Sequence, residues 1–565
     1  MTLTQRIGCR PLVSIVALAV ALVSTAAVPA HALSGPRPVA SRVLPSASDA
    51  TFWRRSMLAT GGTVVVGYNT FPADINPFTE PDLASWQIDE LTAGFLVDVA
   101  PKTLQPVPDV AKSWTISNGG KVYTFHIRPG VRFSDGHPLT ADDVAWTMTS
   151  YANPKISPVV ASFYNQVTSI TAVNSLTLRV TLKQPFAPFL ANSAQMFILE
   201  KRVFQHLKID KANWGTNYKQ WPIGPGPWMI KELVPNDHIT LVPNPYYFGG
   251  HSKLGTLIWK TIPDDNTLFA QLQTGEVQAT PMLPKFVRVL DRSRFNLYQV
   301  SGLQWSSVWL NVHRPFFADQ RVRQAMMYAI DRAGIVKAVY GGRADLMNAE
   351  IPPATGALYN AHVPNTYAYN PTKAKTLLAA AGWKASGGGT LAKGGVRFAF
   401  TLLFTRGDSQ GEQMATIIQQ DLANVGVSVQ LQGLESSVLT NSHLNNGKFD
   451  AAIGYYFNYA FPDNLFQFGC HQTPAQSGTN YGSYCNHTVD TLLDQARTTI
   501  DAASQKRVFD QLQDVMNRDL PFLWLNAPRT MWVMDKAIQG YTPHAADTDI
   551  WNAWQWSTSA SKPGY

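Results

Sequence analysis

Apolar and polar positions alternate with two different periods along the chain, and each period predicts an element. Thr63-Val64-Val65-Val66 opens the ordered part as a strand, with order beginning near Gly62. Lys121 to Arg128 sets Tyr123, Phe125 and Ile127 on one face of a second strand, which Pro129-Gly130 turns and Asp135-Gly136 turns again. Thr140 then caps a helix, with Asp143 standing where a capping box usually carries Glu, before Val144 and Trp146.

Further on, the helical period dominates. Asp319 precedes a stripe of Val322, Met326, Ala329 and Ile330 that Gly341-Gly342 ends, so one helix is expected there. Asn370-Pro371 opens another, with Ala374, Leu377, Leu378 and Ala381 as its stripe and Gly382 as its stop. Met414, Ile417, Ile418, Leu422 and Val425 trace a third, which Gly426 terminates before Val427, Val429 and Leu431 alternate as a strand. Two more stripes follow, Val489-Leu492-Leu493-Ala496 and Val508-Leu512-Val515-Met516, the latter stopped before Pro521. Helix and strand recur throughout, which predicts an α/β fold; no repeat or heptad array points to a solenoid.

A chain of 565 residues exceeds what one core supports, so two or three packed domains are expected. Arg6 and Arg10, an apolar run from Leu12 to Val28 and then Ala30-His31-Ala32 have the order of a secretory signal peptide, so residues 1–32 are expected to be removed on export. The run is marginal for a bilayer, which leaves an uncleaved anchor as the rival reading. Cys9 lies before that run and not directly after it, so lipid anchoring is not expected. Arg54-Arg55 precedes a strand instead of an apolar helix and is read as coincidence. Residues 33–59, rich in Ser, Pro and Ala, form a flexible leader. Loss of Arg6 and Arg10 lowers the formal charge from +8 to +6, and with no dense Lys/Arg run nucleic-acid binding has nothing to rest on.

Export leaves Cys470 and Cys485, set in a stretch rich in Gln, Ser, Gly, Thr and Asn. A disulfide is the economical reading; the rival is a metal site of Cys470, His471, Cys485 and His487, whose spacing does not match ordinary zinc pairs. No His-Glu-x-x-His, Gly-x-Ser-x-Gly, phosphate loop or Cys-x-x-Cys occurs, and Gly224-Pro225-Gly226 is a turn. Asp142-Asp143 and Asp264-Asp265 are helix-start and loop charges. No catalytic residue, metal or cofactor is assigned. The segment Gly454 to Asn464 interleaves Tyr455, Tyr456, Phe457, Asn458, Tyr459 and Phe461 with small residues; it either lines a ligand cleft or forms a buried strand.

Several blocks together resemble the extracellular solute-binding proteins of oligopeptide, dipeptide and nickel ABC importers. They are Lys112-Ser113-Trp114 through the run Lys121 to Val144, Gly224-Pro225-Gly226-Pro227-Trp228, Asn244-Pro245-Tyr246-Tyr247, Phe316 to Ala325, and Asn370 to Trp383. The resemblance covers nearly the whole mature chain. It implies a two-lobed type II periplasmic-binding-protein fold with a β-rich inserted domain. The first lobe is expected from 60–94, 223–304 and 526–565, the insertion from 95–222, and the second lobe from 305–525. It also implies a ligand clamped between hinged lobes and handed to a membrane permease, with the protein a monomer in the periplasm or cell envelope. By position, Asn69, Phe71, Trp305, Arg406, Tyr456, Asn458 and Tyr459 are the implied ligand contacts, and the Cys470–Cys485 loop resembles the bridged loop of dipeptide-binding members. Where peptide-binding relatives carry an aspartate for the ligand's α-amine, Asn458 stands; Asp463 is the nearest acid. A peptide or other small solute is therefore the expected cargo, with a ligand other than an ordinary dipeptide favoured. The competing functions are a secreted hydrolase acting on peptides or cell-wall fragments, and an adhesin.

Overall fold

The computed structural model describes residues 61–79, 82–157, 160–206, 223–546 and 550–558. The signal peptide and the leader lie outside the described residues.

Strand Thr63–Tyr68 forms as the Val64–Val66 run predicts, and it pairs in parallel with Thr256–Thr261 on one side and Ala279–Pro281 on the other. His238–Pro243 and Trp228–Val234 extend this half of the sheet antiparallel. The other half runs from Gln304–Leu310 through Ala451–Phe457 to Ala399–Thr405 and Ser428–Leu434, the last three pairing in parallel. Such parallel strands need covering on both faces, and the helices between them supply it.

One long strand, Phe522–Asp535, joins the halves. Its Arg529–Asp535 portion pairs with Phe295–Ser301, and its Phe522–Asn526 portion pairs with Gln304–Leu310. Only Gly302 and Leu303 separate those two partner strands, so both chain crossings lie side by side. A Cβ at Gly302 would fall 2.5 Å from the Pro528 carbonyl oxygen, so only glycine lets the backbones approach this closely.

A separate four-stranded antiparallel sheet is ordered Ala111–Ser117, Val122–Ile127, Thr177–Leu182, Val167–Asn174. Tyr123, Phe125 and Ile127 are buried on its one face, as their alternation predicts. The helix Ala141–Tyr151 follows, and the Asp143 carboxylate accepts from the Thr140 N–H at 2.9 Å, closing the expected capping box. Buried apolar residues gather in separate cores. One holds Phe95 to Phe204 with Phe78 and Ala93; another holds Val64, Ile88, Trp228, Leu257, Trp532 and Trp556; the largest holds Leu303 to Ala527 with Val99, Leu104 and Ala191.

The helices at Pro371–Ala380, Ser409–Ala423, His487–Thr498 and Ala502–Asp519 form where their stripes place them. The single helix expected after Asp319 is instead two, Gln320–Ala329 and Arg332–Tyr340. Ile330 is extended, and the Asp331 side chain accepts from the Gly334 N–H, a cap strong enough to restart the helix. No helix among the described residues is long and apolar enough to cross a membrane.

Candidate functional site

The crossing strands carry the aromatic center of the second half. Trp305, the second residue of Gln304–Leu310, is fully buried, with ring centroids 5.3 Å from Tyr456 and 5.5 Å from Trp524. Tyr456 is buried as well and donates its hydroxyl to the Thr479 carbonyl at 3.1 Å; burial holds its phenol well above the usual range. The strand Ala451–Phe457 can approach Trp309 because residue 454 has no side chain: a Cβ there would fall 1.9 Å from the indole.

Beyond Tyr456 the segment changes character. Phe457 and Tyr459 are 41% and 40% exposed, and the Tyr459 ring stands edge-on to Phe163 of the four-stranded part at 5.2 Å. The Gly454–Asn464 segment is thus a buried strand as far as Tyr456, with exposed rings at Phe457 and Tyr459 and burial again at Ala460 and Phe461. Asn458 lies between the two exposed rings yet is buried, its N–H bonded to the Leu303 carbonyl at 3.1 Å and its Oδ1 accepting from Trp305 Nε1 at 2.5 Å. Its Nδ2 reaches Asn464 Oδ1 only at 3.5 Å, and the buried Nδ2 of Asn464 has no protein partner.

Asp463, the nearest acid, is committed elsewhere. Its Oδ2 accepts from Arg497 Nε at 3.1 Å, while burial, opposed by Arg497, raises the carboxyl. Its Oδ1 and the Gln467 Oε1 are buried without partners. The stretch 458–467 therefore holds unused hydrogen-bonding capacity on three side chains, Asp463, Asn464 and Gln467, which protein interiors seldom leave unmet. Asn192 clasps the same stretch from the four-stranded part, donating to the Phe461 carbonyl at 3.1 Å and accepting from its N–H at 3.2 Å.

The remaining expected contacts sit at strand ends. Asn69 follows Thr63–Tyr68 and lines a small cavity of about 50 Å³ with Asp265, Thr280 and Phe286. That is the carboxyl end of a parallel pair, the position where α/β sheets bind ligands. Phe71 packs on the neighbouring core. Arg406 follows Ala399–Thr405, is exposed, and donates Nη2 to the Gly433 carbonyl at 3.1 Å; among the described residues no carboxylate pairs with it. One neighbour was not singled out from the sequence: Asp408, which caps the helix Ser409–Ala423 and accepts from the Tyr455 hydroxyl at 2.5 Å. A Gly-Asp-x-x-Gly capping pattern was the available signal.

Cys470 and Cys485 are joined as a disulfide, so neither sulfur is free for the metal set with His471 and His487. Asn480 braces the loop, donating to the Gly469 and Tyr484 carbonyls at 2.9 and 2.7 Å and accepting from the Tyr484 N–H at 3.0 Å.

Residues 105–477 match the family described as bacterial extracellular solute-binding proteins, family 5 Middle. The chain is 31% identical over 502 residues to the oligopeptide-binding protein AppA of Bacillus subtilis, covering 88% of this chain and 91% of that one. It is 28% identical over 470 residues to the dipeptide-binding protein of Escherichia coli, covering 79% and 85%. Its fold is similar to that of AppA from Bacillus subtilis solved with a nonapeptide, with a TM-score of 0.73 and 29% identity over 88% of this chain and 99% of that one. It is also similar to NikZ from Campylobacter jejuni solved with Ni(L-His), with a TM-score of 0.74 and 24% identity over the same shares. The chain belongs to the family 5 bacterial extracellular solute-binding proteins and has the type II periplasmic-binding-protein fold. It serves as the substrate-binding subunit of an ABC importer.

Proposed function

We propose that this protein clamps a small solute between two lobes and hands it unchanged to a membrane permease, with 60–94, 223–304 and 526–565 as one lobe, 305–525 as the other and 95–222 inserted. It acts as an exported monomer without catalytic chemistry, and closure is the hinge motion that the ligand selects. The adjoining crossings at 301–304 and 526–530 support the hinge, since few residues there need to change their dihedral angles. The ligand contacts are Asn69, Phe71, Arg406 and the 456–459 segment, with Trp305 setting the segment's geometry.

The observation that carries the ligand class is the orientation of Asn458. An indole N–H can only donate, so the amide oxygen must face Trp305 and the NH₂ must point away from it. Together with the unpartnered Nδ2 of Asn464, this presents hydrogen-bond donors where an ammonium would need acceptors and negative charge. Asp463 does not restore that charge, because Arg497 neutralises it. Burying an ammonium there would cost several kcal/mol. The cargo is therefore a peptide or comparable solute that offers carbonyl, carboxylate or hydroxyl oxygens at this point, such as a blocked or longer peptide, a sugar or a chelate. That similar proteins have been solved with a nonapeptide and with Ni(L-His) supports a cargo outside the ordinary dipeptides.

Mass spectrometry of small molecules released by denaturing protein purified from its native host tests this, followed by small-angle scattering with the compound found. An acceptor-rich compound that compacts the protein and is recovered intact supports the reading. Turnover of the compound, or tight binding of unmodified dipeptides through Asn458, overturns it.

A further inference from the structure

A second constellation lies on the β-rich inserted part. Asp135, His137 and Glu200 bring one ligand atom each to within 4.8 Å of one another. Gly136 turns the chain with φ of 93°, and Asp135 Oδ2 lies 2.9 Å from His137 Nδ1. Glu200 arrives from the start of the short helix Lys201–Phe204, 3.9 Å from the same nitrogen.

Charge and burial are poorly matched there. The Glu200 side chain is only 3% exposed, and its Oε2 has no hydrogen-bond partner. Arg202 supplies the cation: Nε meets Glu200 Oε1 at 2.7 Å, and Nη2 meets Asp135 Oδ2 at 2.7 Å and His137 Nδ1 at 3.2 Å. A guanidinium is a flat monovalent fork, and this one leaves the second glutamate oxygen unused. A buried carboxylate oxygen without a partner is costly, so the pocket is undersupplied with positive charge. Arg202 itself is 55% exposed and can leave toward water, while His137 at 54% gives solvent access.

One imidazole and two carboxylates, open on one side, are a donor set that borderline divalent ions accept, whereas Mg²⁺ and Ca²⁺ prefer oxygen alone. Ligands around a tetrahedral ion with bonds of about 2.0 Å lie roughly 3.3 Å apart, between the 2.9 and 3.9 Å that separate His137 Nδ1 from Asp135 and Glu200. We propose that Asp135, His137 and Glu200 form a divalent transition-metal site of the Zn²⁺ class, in which Arg202 is the counter-ion of the empty state. The metal replaces the guanidinium and engages the unused Glu200 oxygen, and water completes its coordination. The site is structural in role. Glu200 N–H bonds to the Ile223 carbonyl and Ser134 N–H to the Gly224 carbonyl, so a metal would pin the point where the chain leaves the inserted part.

Calorimetric titration of the full mature chain with Zn²⁺ tests this, with metal-free thermal melts as the folding control. One site per chain is expected. His137→Ala, at an exposed position, and Glu200→Gln should each weaken it on the order of tenfold or more. Arg202→Gln removes the competing cation and should tighten it by about tenfold, an effect that a merely structural arginine would not produce. Asn458→Asp should leave it unchanged. Absence of binding, indifference to His137→Ala, or weakening by Arg202→Gln would each overturn the assignment; should Glu200→Gln fail to fold, the other two variants still decide it.

Discussion

Trp305 and Asn458, 153 positions apart, are joined by an indole-to-amide hydrogen bond of 2.5 Å in a buried setting. The bond fixes which end of the amide is available to anything that enters beside the exposed rings of Phe457 and Tyr459, and it can be edited. Asn458→Asp keeps an oxygen for the indole and adds a charge with a second oxygen. Binding of unmodified dipeptides should then tighten by about 2 kcal/mol or more, roughly thirtyfold, measured by calorimetry. No gain would mean that the ligand's amine never approaches this residue.

Glu350 is completely buried, and both of its carboxylate oxygens lack partners. Burial pushes its carboxyl up to about 8. The folded chain thus keeps a proton that an unfolded chain releases above about pH 4.3. Its contribution to stability is full below that pH and is lost as pH rises toward 8. Asp109, pushed up to about 7 by burial and by the charge of Asp98, acts in the same direction. Glu350→Gln should flatten the decline in urea-unfolding stability between about pH 5 and 8 without abolishing it, and should leave the protein more stable than the parent at pH 8. An unchanged slope would show that the carboxyl finds a partner in solution.

Loss of the Cys470–Cys485 link should cost up to about 3 kcal/mol, the chain-entropy value for a loop of this size. Asn480 holds the same loop from inside, so the native conformation should survive. Urea denaturation of the Cys470→Ser/Cys485→Ser variant, with and without reductant, reads both effects. Reductant should destabilise the parent alone.

Gly302→Ala places a methyl carbon against the Pro528 carbonyl, where 2.5 Å is too close for contact. The crossing strands must part slightly, at a cost of about 1–3 kcal/mol. Scattering profiles of the variant with and without ligand should show an altered balance of open and closed forms. Profiles identical to the parent's would move the hinge elsewhere.

Local patterning announced much of this architecture. The face of Tyr123, Phe125 and Ile127, the Thr140–Asp143 cap and the stripe on 489–496 all arise from contacts within a few residues, which the sequence displays directly. Ile330 shows the limit: the apolar stripe runs through it, and only the competing cap at Asp331 breaks the helix. The site was legible in its materials more than in its arrangement. The aromatic run at 454–464 was visible, but the burial of Tyr456 depends on Trp305, Trp309 and Phe522, far away in sequence. Glu350 carried no signal at all, because its isolation follows from three-dimensional packing.

A carrier of this kind is usually pictured as two bodies on a flexible tether, but the Phe522–Asp535 ladder has no slack. Its backbone is paired with neighbouring strands before and after residues 527–528, so the lobe movement proposed above would have to twist this strand. Cleavage of the backbone between 526 and 530 would then remove that coupling between the two halves of the sheet.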